Sequence, residues 1–137
     1  MEMLSGHDFV YLSFGEHIAR ESCQITPSVC LLIADCAVDE SLVASSVKDA
    51  IAIGCSFFMF WGLYANTLHD VIDEIIESGS DEWLDIITTS HEGEPLCDVL
   101  DFLYTGAMPG NNTFRCLIIG DKSADELQLM ISNCSTQ

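Results

Sequence analysis

Two runs of this chain, Val29–Ala34 (VCLLIA) and Ser56–Trp61 (SFFMFW), are apolar at almost every position. A strand with one wet face alternates apolar and polar side chains. A run without alternation fits a strand covered on both faces, as in a parallel sheet flanked by helices. Three further short runs read as strands: Phe9–Phe14 (FVYLSF), Leu84–Thr89 (LDIITT) and Phe114–Ile119 (FRCLII).

Helical patterns fall between these runs. Asp39 is placed to cap a helix with Leu42, Val43, Val47, Ala50 and Ile51 on one face, and Gly54 stops it. Asn66 is placed to cap a second, whose stripe is Leu68, Val71, Ile72, Ile75 and Ile76. Pro95 suits the first turn of a third, with Leu96, Val99, Leu100 and Leu103 inward. Ser123 and Glu126 form a capping-box pattern for a last helix holding Leu127 and Met130. A short helix is expected near His17–Cys23, and Met108–Thr113 (MPGNNT) reads as a loop. Strands alternating with helices predict right-handed crossovers. The fold class is a three-layer α/β domain, Rossmann-like or flavodoxin-like, with about five mostly parallel strands and residues 1–137 as a single domain.

Charge limits the partners. The chain carries 22 acidic residues against Lys48, Lys122, Arg20 and Arg115, a formal net charge of -18. Between Lys48 and Arg115 lie 12 of the acids and no basic residue. Such a field disfavours nucleic acid and favours a basic protein partner. The hydrophobic fraction of 49% separates the chain from disordered acidic tails, which lack apolar residues. No run reaches the length of a membrane helix, and Met1–Leu12 lacks the basic start of a leader, so a cytoplasmic protein is expected. Seven cysteines without a CxxC spacing read as buried free thiols in a reducing compartment, ahead of disulfides or zinc.

Ligands of open α/β sheets gather beyond the carboxyl ends of the strands. Those ends carry Gly15, Glu16 and His17; Asp35, Cys36, Asp39 and Glu40; Trp61 and Tyr64; His91, Glu92 and Glu94; and Gly120, Asp121, Lys122 and Ser123. The sharpest local cluster is His91, Glu92 and Glu94. A histidine and carboxylates at a strand-to-helix turn can run acid–base chemistry or, with Asp35 and Asp39, hold a divalent metal. The competing reading is structural: acids are favoured where a helix begins. His69 and Asp73 share a helical face four residues apart, a spacing that a solvated pair also explains. Neither HExxH, GxSxG, GxGxxG nor GxxxxGK[ST] occurs, and no cofactor is expected.

Asp35 after the second strand and Lys122 after the last are similar to the pattern of response-regulator receiver domains. The receiver positions for an acidic pair and a phosphoacceptor read Phe14-Gly15-Glu16 and Trp61-Gly62 here, so phosphoacceptor function is not carried over. LHDVIDEI (Leu68–Ile75) and TTSHEGEP (Thr88–Pro95) resemble segments of an uncharacterised bacterial α/β domain family with no assigned activity. That resemblance implies a bacterial cytoplasmic domain and transfers no catalytic residue.

The leading expectation is therefore an acidic interaction protein, of immunity, antitoxin or regulatory type. Its partner-binding residues would be Asp70, Asp73, Glu74 and Glu77 on the outer face of the second helix. The alternative is a small enzyme or a ligand or metal sensor built around His91, Glu92 and Glu94. A homodimer would need an apolar interface, through the Met108 loop or the strand-end aromatics, because two such charges repel.

Overall fold

The structure, a computed structural model, describes residues 8–16, 28–36, 39–79, 83, 85–105 and 115–135. Within them lie five strands: β1 (Asp8–Ser13), β2 (Ser28–Ile33), β3 (Phe57–Trp61), β4 (Ile87–Ser90) and β5 (Arg115–Gly120). Four helices accompany them: α1 (Glu40–Ala52), α2 (Ala65–Glu77), α3 (Leu96–Thr105) and α4 (Ala124–Ser135). The expected helix near His17–Cys23 and the loop Met108–Thr113 lie outside the described residues.

Every strand pairing is parallel, in the order β1-β5-β2-β3-β4. The expected three-layer α/β class is what forms, and the strand order is its own. The flavodoxin-like order is 2-1-3-4-5 and the Rossmann order 3-2-1-4-5-6. From β2 the chain steps outward through α1 and α2 to the edge strand β4. It then returns over β3 and β2 through α3 to β5. A right-handed crossover that reverses direction must change faces, so α1 and α2 cover one side of the sheet, and α3 and α4 the other.

This topology explains the continuous apolar runs. Cys30, Leu32, Phe58 and Phe60 pack with Val43, Val47, Leu68 and Ile72 beneath α1 and α2. Their neighbours Val29, Leu31, Ile33, Phe57 and Met59 pack with Val99, Leu100, Leu103, Leu127 and Ile131 beneath α3 and α4. Strands β2, β3 and β5 are buried on both faces, so alternation has no role in them. Each fully buried Phe or Leu contributes about 1.5–3 kcal/mol of burial.

Two expectations need correction. Asn66 does not cap α2. The turn through Gly62 and Leu63 brings Tyr64 to the cap position without a side-chain hydrogen bond, and the helix starts at Ala65. Gly62 allows this turn: its φ is 116°, and an added Cβ would lie 2.5 Å from the Ala34 carbonyl oxygen. The cysteines are also not all free thiols. Cys97, in the first turn of α3, and Cys134, near the end of α4, form a disulfide with Cα atoms 5.2 Å apart. Their separation of 37 residues carries no spacing signature, and only the packing of α3 beside α4 brings them together. Cys30, Cys55 and Cys116 are buried thiols outside any disulfide, and Cys36 is an exposed one. Among the described residues, no helix is long and apolar enough to cross a membrane.

Candidate functional site

The carboxyl edge of the sheet presents two polar regions, one at the end of β4 and one where β1, β5 and β2 end together. At the first, His91 follows β4 and its backbone N–H donates to the Phe60 carbonyl (2.8 Å). Its ring spans two partners: Nδ1 lies 3.2 Å from both Glu94 carboxylate oxygens, and Nε2 lies 2.8 Å from Thr89 Oγ1. With Nδ1 protonated toward Glu94, Nε2 is left to accept the Thr89 hydroxyl. Trp61 Nε1 donates to the Glu94 carbonyl at 2.6 Å and fixes the turn. Glu92 is turned elsewhere, and its Oε1 accepts the Asn66 N–H (3.3 Å) in the first turn of α2. There a negative charge is favoured by the free N–H groups of the helix end. Asn66 Oδ1 in turn accepts the Ser90 hydroxyl.

The structure therefore pairs His91 with Glu94, adds Thr89 to them, and gives Glu92 the capping role expected of Asn66. Asp35 and Asp39 stand apart from this group, beyond β2 and at the start of α1. Strands β2 and β4 are separated by β3, about 9–10 Å at ordinary strand spacing. Among the described residues no three His, Cys, Asp or Glu side chains converge on a metal-sized site. Asp39 Oδ1 accepts the Ser41 N–H (2.8 Å) and hydroxyl (2.6 Å), capping α1 as expected. These two bonds hold its carboxyl below the ordinary aspartate range.

On α2, Asp70 is 84% exposed, and Glu74 and Glu77 are also exposed. Asp73 differs. It is 38% exposed, accepts the Thr88 hydroxyl at 2.5 Å and lies 3.5 Å from His69 Nε2. His69 is itself 3.0 Å from Thr88 and stands edge-on to Phe60. Asp73 thus turns toward β4, and Asp70, Glu74 and Glu77 form the outward face. Trp61 and Tyr64 do not make a shared patch: Trp61 packs with the α3/α4 layer and Tyr64 with the α1/α2 layer.

The second region lies at the topological switch. From β2 the chain leaves over one face into α1, and from the neighbouring β5 over the other into α4. The divergence opens a crevice of about 570 Å³ lined by Ser13, Cys36, Asp39, Asp121, Lys122 and Glu126, among others. Ligand pockets span about 300–1,000 Å³ and favour this position in open sheets. Gly120 permits close packing at its floor, since an added Cβ would lie 2.8 Å from Leu127 Cδ2 and 3.0 Å from the Ile33 carbonyl oxygen. Ser13 Oγ donates to the Lys122 carbonyl (2.9 Å), and the Asp121 N–H to the Ile33 carbonyl (3.1 Å). The capping box at Ser123 and Glu126 forms as expected, with reciprocal bonds of 3.2 and 3.3 Å.

Asp121 is the unusual member. Its side chain is 3% exposed. Oδ2 accepts the Cys36 N–H at 2.6 Å, but the buried Oδ1 has no hydrogen-bond partner. Among the described residues the nearest cation, Lys122 Nζ, is 4.0 Å away. Asp121 and Lys122 were visible in the sequence as members of a strand-end rim. Two signals mark them further: a carboxylate immediately after a strand that is apolar from Cys116 to Gly120, and a capping box two residues on.

A family model described as a domain of unknown function (DUF7684) matches residues 8–134. No curated protein and no solved structure matches the chain.

Proposed function

This chain belongs to the DUF7684 family, a domain of unknown function, and because membership transfers no activity we propose that it acts as an acidic interaction domain binding a basic protein partner. The observation that supports this reading is the outward face of α2. It carries Asp70, Glu74 and Glu77, and the helix contains no lysine or arginine. Opposite fields accelerate such an encounter and reject acidic competitors. The partner is protein rather than nucleic acid, since phosphates would meet a net charge of -18. Bacterial origin and cytoplasmic residence belong to the same proposal. The three buried thiols accord with a reducing compartment, whereas the Cys97–Cys134 disulfide is typical of an oxidising one.

The test is capture of a basic protein that is released by salt. Neutralising α2 by Asp70→Asn, Glu74→Gln and Glu77→Gln should abolish capture without lowering the melting temperature. Neutralising the exposed acids Glu40, Asp85 and Asp125 should leave it intact. Equal loss in both variants would show that net charge alone governs retention and would sink the proposal.

A second reading has its own observation, the hydrogen-bond chain Thr89···His91···Glu94. A hydroxyl on a histidine that is oriented by a carboxylate is the arrangement of an activated nucleophile or a general base. On this reading a small enzyme or sensor works at the end of β4. Stoichiometric labelling of Thr89 by an acyl-phosphonate or sulfonyl-fluoride probe, lost in His91→Ala, would support it. Failure of a reactive probe panel to label Thr89 would remove it.

A further inference from the structure

We propose that the crevice where β1, β5 and β2 end is a binding site for a small organic cation bearing N–H donors, received by Asp121 Oδ1. This is independent of the α2 face and of the Thr89–His91–Glu94 chain. A buried carboxylate is costly unless its oxygens are paired. The Asp121 side chain is 97% buried and yet holds only one strong bond, from the Cys36 N–H to Oδ2. Its other oxygen is buried without a partner in the wall of a crevice large enough for a ligand. An acceptor in that state calls for a donor.

The charges choose which donor. Among the described residues, Asp39, Asp121 and Glu126 line the crevice against one cation, Lys122. Asp39 and Glu126 each spend an oxygen on the start of a helix, Oδ1 on α1 and Oε1 on α4, and both carboxylates still contribute negative field. An anion is therefore repelled, and a positively charged N–H donor is attracted. A divalent metal is poorly served, because no three acidic, histidine or cysteine side chains converge among the described residues. Guanidinium and primary ammonium groups share the required chemistry. Lys122 is the movable cover: its ammonium stands 4.0 Å from Oδ1, too far for a hydrogen bond, and a ligand cation takes that place.

The Cys36 amide, bonded to the same carboxylate, is the reporter. Titration with methylguanidinium and with methylammonium, followed by amide resonances, should shift the Cys36 signal saturably. The two titrations rank the head groups. Tetramethylammonium, equal in charge and lacking a donor, should leave it unsaturated. Asp121→Asn should weaken binding about tenfold or more, the loss expected for a charge-assisted hydrogen bond. Lys122→Ala keeps the carboxylate and removes the competing ammonium, so binding should tighten. The proposal is overturned if neither donor cation saturates, if tetramethylammonium behaves like the donors, or if Lys122→Ala weakens binding.

Discussion

The end of β4 and the crevice beside β5 sit on the same edge of one sheet and carry the same kinds of residue, but their hydrogen-bond balance is opposite. At β4 the polar groups answer one another: His91 with Thr89 and Glu94, Trp61 with the Glu94 carbonyl, Glu92 with the Asn66 N–H. At the crevice a carboxylate that is 3% exposed keeps one oxygen without a partner. A satisfied cluster stabilises its turn. An unsatisfied buried group lowers stability and is retained in folded proteins chiefly where a ligand or a reaction uses it. Residue type did not separate the two regions; satisfaction did.

The largest test of this contrast concerns what holds each region. The disulfide anchors the first turn of α3, three residues after Glu94, to the far end of α4. Closing a loop of this length is worth about 3–4 kcal/mol in the chain-entropy model. Reduction should lower the melting temperature and disturb the His91 resonances before those of Asp121. Thiol titration in denaturant should find seven groups per chain after reduction and at least two fewer before it. Seven before reduction would remove the staple from the comparison.

Next in size is Gly62→Ala, at the end of β3 between the two regions. Its positive φ and the 2.5 Å approach of the Ala34 carbonyl oxygen leave no relief, so a loss of about 2–4 kcal/mol is expected in denaturant unfolding. A loss below that of an ordinary surface change would show that β2 and β3 yield easily at this end.

The sharpest test is a difference of sign. His91→Ala should lower stability by about 1–2 kcal/mol, because it leaves Thr89 and Glu94 without their shared partner. Asp121→Asn should raise it by about 1 kcal/mol, because it replaces a buried, half-paired charge with a neutral amide. If both substitutions destabilise alike, Asp121 is structural and the contrast fails.

The smallest effect is at Asp39, which belongs to the crevice wall and to the cap of α1. The Ser41 bonds lower its carboxyl pKa in the folded protein. Its contribution is then complete above the unfolded value, near 4, and is lost as pH falls through the lower folded value. Asp39→Ala should reduce the melting temperature slightly at neutral pH, and the gap from wild type should close on acidification. A gap independent of pH would mean that the ionised form of Asp39 does not make the cap.

Much of the layer architecture was legible from residues alone. The runs VCLLIA and SFFMFW read as doubly covered strands because burial on both faces removes alternation, and β2 and β3 are buried in that way. Asp39 and the Ser123/Glu126 box were legible because capping is local in sequence. Asn66 departs from its local pattern because its competitor, Glu92, lies 26 residues away and reaches α2 only through the pairing of β4 with β3. Asp73 looked like a surface acid until Thr88 on β4 turned it inward.

By itself, the sequence determined which segments become strands and helices, how acidic the surface is, and where α1 and α4 are capped, since each depends on periodicity, composition or near neighbours. Strand order, the Cys97–Cys134 bond and the orphaned oxygen of Asp121 were decided only by tertiary structure. Each depends on which distant elements meet: β5 inserts between β1 and β2, α3 lies against α4, and the Cys36 amide reaches across to β5's end. Pattern along a chain reports a residue's own faces, whereas satisfaction of a buried charge is a property of what the fold places around it.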